Sequence, residues 1–165
     1  LMLVFDLNLL TAVFFFGLWM LLFYLQFSKK LSHFYLMLAS ALLFNALGLY
    51  HFYPKLLAYQ SGTQLYSRIP TNAPLYNYSD DYIWVLDFKR KKPSIPLSKK
   101  EIKILPKASY VYVDQAHLME FKLAHPSAIE HTSALHYRVT KLNFRFLNKS
   151  TRNQELAVKR IMYVP

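Results

Sequence analysis

Tyr50–Gly62, YHFYPKLLAYQSG, is the stretch that divides this chain. Residues before it are almost entirely apolar. Residues after it mix apolar and polar side chains and carry most of the charge: 18 of the 20 Lys/Arg and 8 of the 9 Asp/Glu lie from Lys55 onward. The 54% hydrophobic content and the net charge of +11 thus belong to different parts of the chain. That segregation reads as a membrane anchor followed by a water-facing domain. A basic domain suits anionic neighbours such as lipid phosphates, acidic glycans or nucleic acid. With no cysteine, the chain has no disulfide framework, no thiol nucleophile and no cysteine metal site.

Working outward from the junction, Leu9–Phe27 (LLTAVFFFGLWMLLFYLQF) has no charge and, apart from Thr11 and Gln26, is apolar or aromatic. A helix of this length spans about 28 Å, enough to cross a bilayer core. Phe34–Tyr53 (FYLMLASALLFNALGLYHFY) is a second such segment, interrupted by Ser40, Asn45 and His51. Buried helices of a soluble protein would show a polar face, and these show none. The short loop between them, SKKLSH, is basic, which marks the cytoplasmic side and puts the region after Pro54 outside. Tyr24 and Tyr35 then flank the inner interface, and Tyr50 and Tyr53 the outer. Asp6 and Asn8 mark the outer mouth of the first span; a functional intramembrane carboxylate is the sharper alternative for Asp6. No basic leader precedes the apolar run at Leu1, so the chain is expected to be a piece of a longer polypeptide.

The expected fold is a membrane α-helical hairpin followed by a small mixed α/β extracytoplasmic domain. Residues 1–54 hold the two spans, about 9–27 and 34–53; 55–69 form an interfacial amphipathic helix ending before Pro70; 70–165 form the soluble α/β domain. In that domain Pro74–Tyr78 reads as a strand, and Tyr82–Lys89 as strand or helix. Ser98 and Glu101 match a capping box opening a short helix to Leu105. SYVYV, Ser109–Val113, is a strand by its aromatic and β-branched content, and Asp114 can cap a helix running to about Leu123. Tyr137–Leu147 and Leu156–Val164 read as two strands of a hairpin turning at NKSTRN, with a bulge near Thr140.

Chemical signatures are sparse. Gly17, Gly48 and Gly62 are too scattered for a phosphate-cradling loop. His117, His125, His131 and His136 fall close together but fit no ligand spacing. Asp80 and Asp81 are adjacent, which suits a turn better than a catalytic pair. Two sequons, at Asn77 and Asn148, matter only in a eukaryotic secretory pathway. The lysines of 89–92 and Lys99, Lys100 and Lys103 could meet lipid headgroups or simply be solvated. YRVTKLNFRF interleaves basic and aromatic residues as nucleic-acid-binding strands do. Its two kinds of residue alternate between faces, as in a half-buried strand, so no nucleic acid is expected.

Taken in order, the two spans, FYPKLLAYQSGTQLYSRIP, PLYNY, VLDFKRK, SYVYVD and TKLNFRFLNKSTRNQELAVKRIMYV resemble the C-terminal end of bacterial polytopic glycosyltransferases of the GT-C type. The nearest group is family 39, the relatives of dolichyl-phosphate-mannose mannosyltransferases and aminoarabinose transferases. The resemblance implies a many-span inner-membrane enzyme that takes a sugar from a polyprenyl-phosphate donor at the outer face, with a divalent metal in some branches. It also implies that the catalytic carboxylates lie in an outside loop this chain does not contain, so no catalytic and no metal residue is carried over. The expected partners are membrane lipids, the polyprenyl-phosphate sugar donor and the remaining helices of the same enzyme. At the junction Lys55, Tyr59 and Gln60 could hold the lipid phosphate or the sugar; alternatively Lys55 snorkels and Tyr59 anchors the interface. A rival class is a non-enzymatic anchored module whose basic domain binds anionic lipid, glycan or a protein.

Overall fold

The computed structural model describes residues 8–29 and 32–165. The expectations for Asp6 and Lys30 lie outside the described residues. The chain divides after Leu56 into a helical unit and an α/β unit of residues 57–165.

In the helical unit, α1 (Leu9–Phe27) starts where Asn8 Oδ1 accepts from the Leu10 amide at 3.2 Å. Its apolar side chains face outward all round, with none buried. α2 (His33–Leu47) runs through a π-helical stretch, Gly48–Phe52, into α3 (Tyr53–Leu57). The second helix is therefore 25 residues, His33–Leu57, longer than the expected 34–53. Both α1 and this helix are long and apolar enough to cross a membrane. Pro54 does not end the second helix, because it falls at the start of α3, where the π-helical offset precedes it.

The amphipathic helix expected over 55–69 is not a single element. α3 stops at Leu57, α4 (Ser61–Leu65) begins after a turn, and a 3-10 turn follows at Tyr66–Arg68. Leu65 and Ile69 are buried in the α/β core, so their apolar face covers a sheet rather than a membrane surface.

That sheet has five strands in the order β2-β1-β3-β5-β4. They are β1 (Leu75–Tyr78), β2 (Ile95–Pro96), β3 (Ser109–Asp114), β4 (Ile129–His136) and β5 (Ala157–Val164). β1 pairs in parallel with β2 and β3, whereas β5 runs antiparallel to β3 and β4. Both faces are covered, which explains the continuous apolar run of SYVYV. Tyr110 and Tyr112 turn to one face, with Leu75 and Ile161, under α4 and α5 (Trp84–Arg90). Val111 and Val113 turn to the other, with Met162 and Val164, under α6 (Leu118–Ala124) and the 3-10 turn Glu101–Ile104. Contact between α4 and α5 depends on Gly62: a Cβ there would lie 2.7 Å from the Leu86 amide nitrogen.

Local chemistry follows the expectation at the capping box, whereas Asp114 does not cap α6 itself: the N-cap is His117, with no side-chain cap bond. Ser98 and Glu101 form the capping box: the Ser98 amide donates to Glu101 Oε2 at 2.9 Å, and the Glu101 amide reaches Ser98 Oγ at 3.4 Å. Asp114 Oδ1 accepts from the His117 amide at 3.0 Å and fixes the approach to α6. The strand expected over Tyr137–Leu147 is absent. Tyr137 OH donates to the Lys141 carbonyl at 2.6 Å and accepts from the Asn143 amide at 3.2 Å, closing a loop. Asn143 Oδ1 then accepts from the Phe146 amide at 2.8 Å and opens α7 (Phe144–Leu147). These side-chain bonds outcompete a ladder for the same backbone. β5 pairs instead with β3 on one side and, on the other, with β4, just upstream of the expected strand. Its register shift falls between Glu130 and Thr132, not near Thr140.

Candidate functional site

A cleft of about 320 Å³ opens in the α/β unit, within the range of small-ligand sites. Three elements build it: the start of α4 with Gln60, the turn into α5 with Asp81 to Leu86, and the end of β4 with His136 to Thr140. Two of its polar groups, His136 and Asp81, are fixed by their partners. The Ser61 amide and hydroxyl both approach His136 Nδ1 at 3.2 Å, and Ser61 Oγ is 2.9 Å from the buried Tyr112 OH. Because an amide can only donate, Nδ1 accepts, and Nε2 carries the imidazole proton. Burial, with Lys159 and Arg138 nearby, lowers the His136 pKa against the opposing pull of Asp81. The imidazole is therefore neutral at pH 7, with Nε2–H as its donor.

Asp81 is held by Lys159, whose ammonium lies 2.7 Å from Oδ2. That bond lowers the Asp81 pKa despite partial burial. Lys159 is buried and also lies 3.6 Å from Asp114 Oδ2. Burial by itself would raise the Asp114 pKa, but the hydrogen bonds from His117 and the charge of Lys159 bring it below the usual carboxylate range. Gln60, Arg138 and Thr140 add further donors and acceptors at the rim.

The cleft also has an aromatic wall. The rings of Tyr82 and Trp84 lie 3.9 Å apart at 33°. They are 57% and 69% exposed, which leaves ring surface open beside the polar groups. Aromatic faces next to directed hydrogen-bond partners fit a ligand with apolar C–H faces and equatorial hydroxyls, as a pyranose has.

Of the residues chosen from the sequence, the structure brings Gln60 into this cleft. Tyr59 is part of the packing instead. Its ring meets Phe146 edge-on at 5.2 Å and its hydroxyl accepts from Arg152 Nη1 at 3.2 Å. Lys55 belongs to the helical unit, where its Nζ is 3.4 Å from His51 Nε2. Asp81, Tyr82, Trp84, His136 and Arg138 were not chosen. Asp81, Tyr82 and Trp84 were signalled by the density of aromatic and acidic residues in SDDYIW, which reads equally well as a turn, and His136 by its place among four histidines that fit no ligand spacing; nothing pointed to Arg138.

The four histidines do not converge. His125 Nε2 bonds the Ile102 carbonyl, His131 Nε2 is 2.8 Å from the Arg68 carbonyl, and His136 is held by Ser61. Among the described residues, one group has metal-ligand spacing: Asp80, Asp114 and His117, with atoms within 4.8 Å of one another. Asp114 there is already engaged by His117 Nδ1 at 2.7 Å and by Lys159, so the group is accounted for as an ion-pair network.

Fold and site together define a class: two long apolar helices joined to a mixed α/β unit that carries a polar–aromatic cleft. No protein-family model, curated protein or solved structure matches the chain.

Proposed function

We propose that the chain is the C-terminal portion of a polytopic bacterial inner-membrane glycosyltransferase of the GT-C type. It moves a hexosyl or pentosyl group from a polyprenyl-phosphate donor to a lipid, glycan or protein acceptor. The α/β unit faces the periplasm and recognises sugar. The single observation that carries this reading is the cleft, where the exposed Tyr82–Trp84 pair stands beside Gln60, Asp81, His136 and Arg138. The two apolar helices and the family resemblance support the membrane and donor parts. Within this chain the residues bind and orient; the carboxylates that activate the acceptor belong, by the resemblance, to another loop of the enzyme.

The test is transfer of labelled sugar from polyprenyl-phosphate donors by the native polypeptide in its membrane. Trp84→Ala should lower kcat/KM for the sugar acceptor roughly tenfold, the worth of one good stacking contact. A Trp84→Ala rate equal to wild type would remove the cleft from the reaction. Sugar binding without transfer would make the anchored binding module the better reading. Lys55→Ala should raise the donor KM or lower kcat, and unchanged kinetics would remove Lys55 from the donor site.

A further inference from the structure

The two lysine-rich runs have different fates. In the first, Lys89 Nζ sits 4.6 Å over the Tyr66 ring, and buried Arg90 donates to the Ala73 carbonyl at 2.7 Å. Lys89 and Arg90 thus serve the fold, while Lys91 and Lys92 are exposed. The second run, Lys99, Lys100 and Lys103, leads into and along the 3-10 turn Glu101–Ile104, which is fixed against α6. Ile102 is buried, its carbonyl is bonded by His125 Nε2, and Lys99 pairs with Glu120 at 3.2 Å.

What this pair of elements leaves outside is apolar. Ile104 is 77% exposed, Met119 71% and Leu123 79%. Met119 and Leu123 are one turn apart and share a helix face, while Leu118 and Phe121 supply the core. The outward residues stand outside the core cluster. Lysines surround them: Lys99, Lys100, Lys103, Lys107 and Lys122 are all exposed. Within residues 98–107 and 118–124 the acidic side chains are Glu101 and Glu120, which Ser98 and Lys99 already hold. Exposed aliphatic tips ringed by lysines have the chemistry of a surface lying in a lipid headgroup layer. An acidic protein would satisfy the lysines but would not need protruding aliphatics spaced along a short helix.

We propose that the face formed by Glu101–Ile104 and α6 rests on an anionic bilayer, with Ile104, Met119 and Leu123 in the acyl boundary and the lysines at phosphate level. This rests on the chain being anchored in a membrane, but not on the sugar chemistry. Because the chain lacks cysteine, Leu123→Cys gives a single labelling site. The experiment reconstitutes the full chain, labelled there with an environment-sensitive fluorophore, into nanodiscs containing nitroxide-bearing lipid. One set is rich in phosphatidylglycerol and the other is purely zwitterionic; a parallel sample carries the label at Leu42→Cys in α2.

Strong quenching of the Leu123 probe in anionic discs, weak quenching in zwitterionic discs and loss in high salt are expected. Each lysine is worth about fivefold in membrane partition, so Lys103→Glu with Lys122→Glu should reduce the quenched population at least tenfold. An unquenched Leu123 probe beside a quenched Leu42 probe overturns the proposal alone. If the Leu42 probe is also unquenched, the membrane anchor falls with it. Equal quenching in both lipid compositions, indifferent to charge reversal, overturns the anionic specificity. A Leu123 probe sheltered from water yet unquenched by lipid identifies a protein partner and overturns the proposal.

Discussion

Gly62→Ala is expected to be the most damaging small substitution in this chain. The new Cβ would stand 2.7 Å from the Leu86 amide nitrogen and 3.1 Å from Val85 Cβ. The first obstacle is backbone, which cannot rotate away as a side-chain tip can. α4 must separate from α5 or both must tilt on the sheet, and either exposes the cluster of Leu65, Leu86 and Tyr112. Overpacking of this kind costs about 2–3 kcal/mol. For a unit of this size that lowers Tm by roughly 10–20 °C. The movement also shifts the start of α5, and with it Trp84 and the aromatic wall of the cleft. Gly17 and Gly48 have open space around the equivalent position, so Gly17→Ala and Gly48→Ala should melt with the wild type. Near-UV circular dichroism of all three variants checks this, and a wild-type Tm for Gly62→Ala would contradict the close approach.

The second large effect is at Lys159. Its buried ammonium holds Asp81 at 2.7 Å and stands 3.6 Å from Asp114. Lys159→Met keeps the volume but leaves the more enclosed carboxylate, Asp114, with the His117 hydrogen bonds and no ammonium beside it. The expected loss is about 3 kcal/mol, the lower end for breaking a buried pair, because Asp81 is partly exposed and water takes up some of the difference. Asp81→Asn should cost less, since Lys159 keeps Asp114.

The pH dependence has a definite sign. Asp81 and Asp114 both have folded-state pKa values below the ordinary carboxylate range. Their stabilisation is complete above about pH 4 and is lost as pH falls through the depressed values. His136 adds an earlier and shallower decline. Its folded pKa is lowered, so the unfolded chain binds more protons once pH drops below about 6.5. Urea unfolding across pH should therefore show stability falling in two stages on acidification. In Lys159→Met the lower stage should flatten, because the principal cause of the Asp81 shift is gone. An unchanged acid slope in that variant would show that the pair contributes nothing to folding.

How much could be read in advance depended on where the determining forces lie. The two long helices were legible because their signal is composition over about 20 residues, and no neighbour is needed to interpret it. SYVYV was legible for the same kind of reason: a strand buried on both faces is apolar throughout. The capping box at Ser98 and Glu101 was legible because both partners lie within three residues. By contrast, β4 was missed. IEHTSALH buries only Thr132 and Ala134, and its strand character comes from pairing with β5 about 30 residues away. The alternation in Tyr137–Leu147 pointed to a strand, yet Tyr137 and Asn143 folded the segment on itself.

The cleft was hidden for a related reason. Gln60, the Asp81–Trp84 stretch and His136 lie far apart in the chain, and α4, α5 and the end of β4 bring them together only after the sheet has formed. Sequence by itself determined the segregation of an apolar, membrane-compatible segment from a basic domain, because hydrophobicity and charge are properties each residue carries alone. Tertiary structure decided which aromatics remain outside the core, which lysines serve the fold and which face outward, and that Asp81 and Lys159 meet. Those outcomes depend on distances between residues that the order of the chain does not contain.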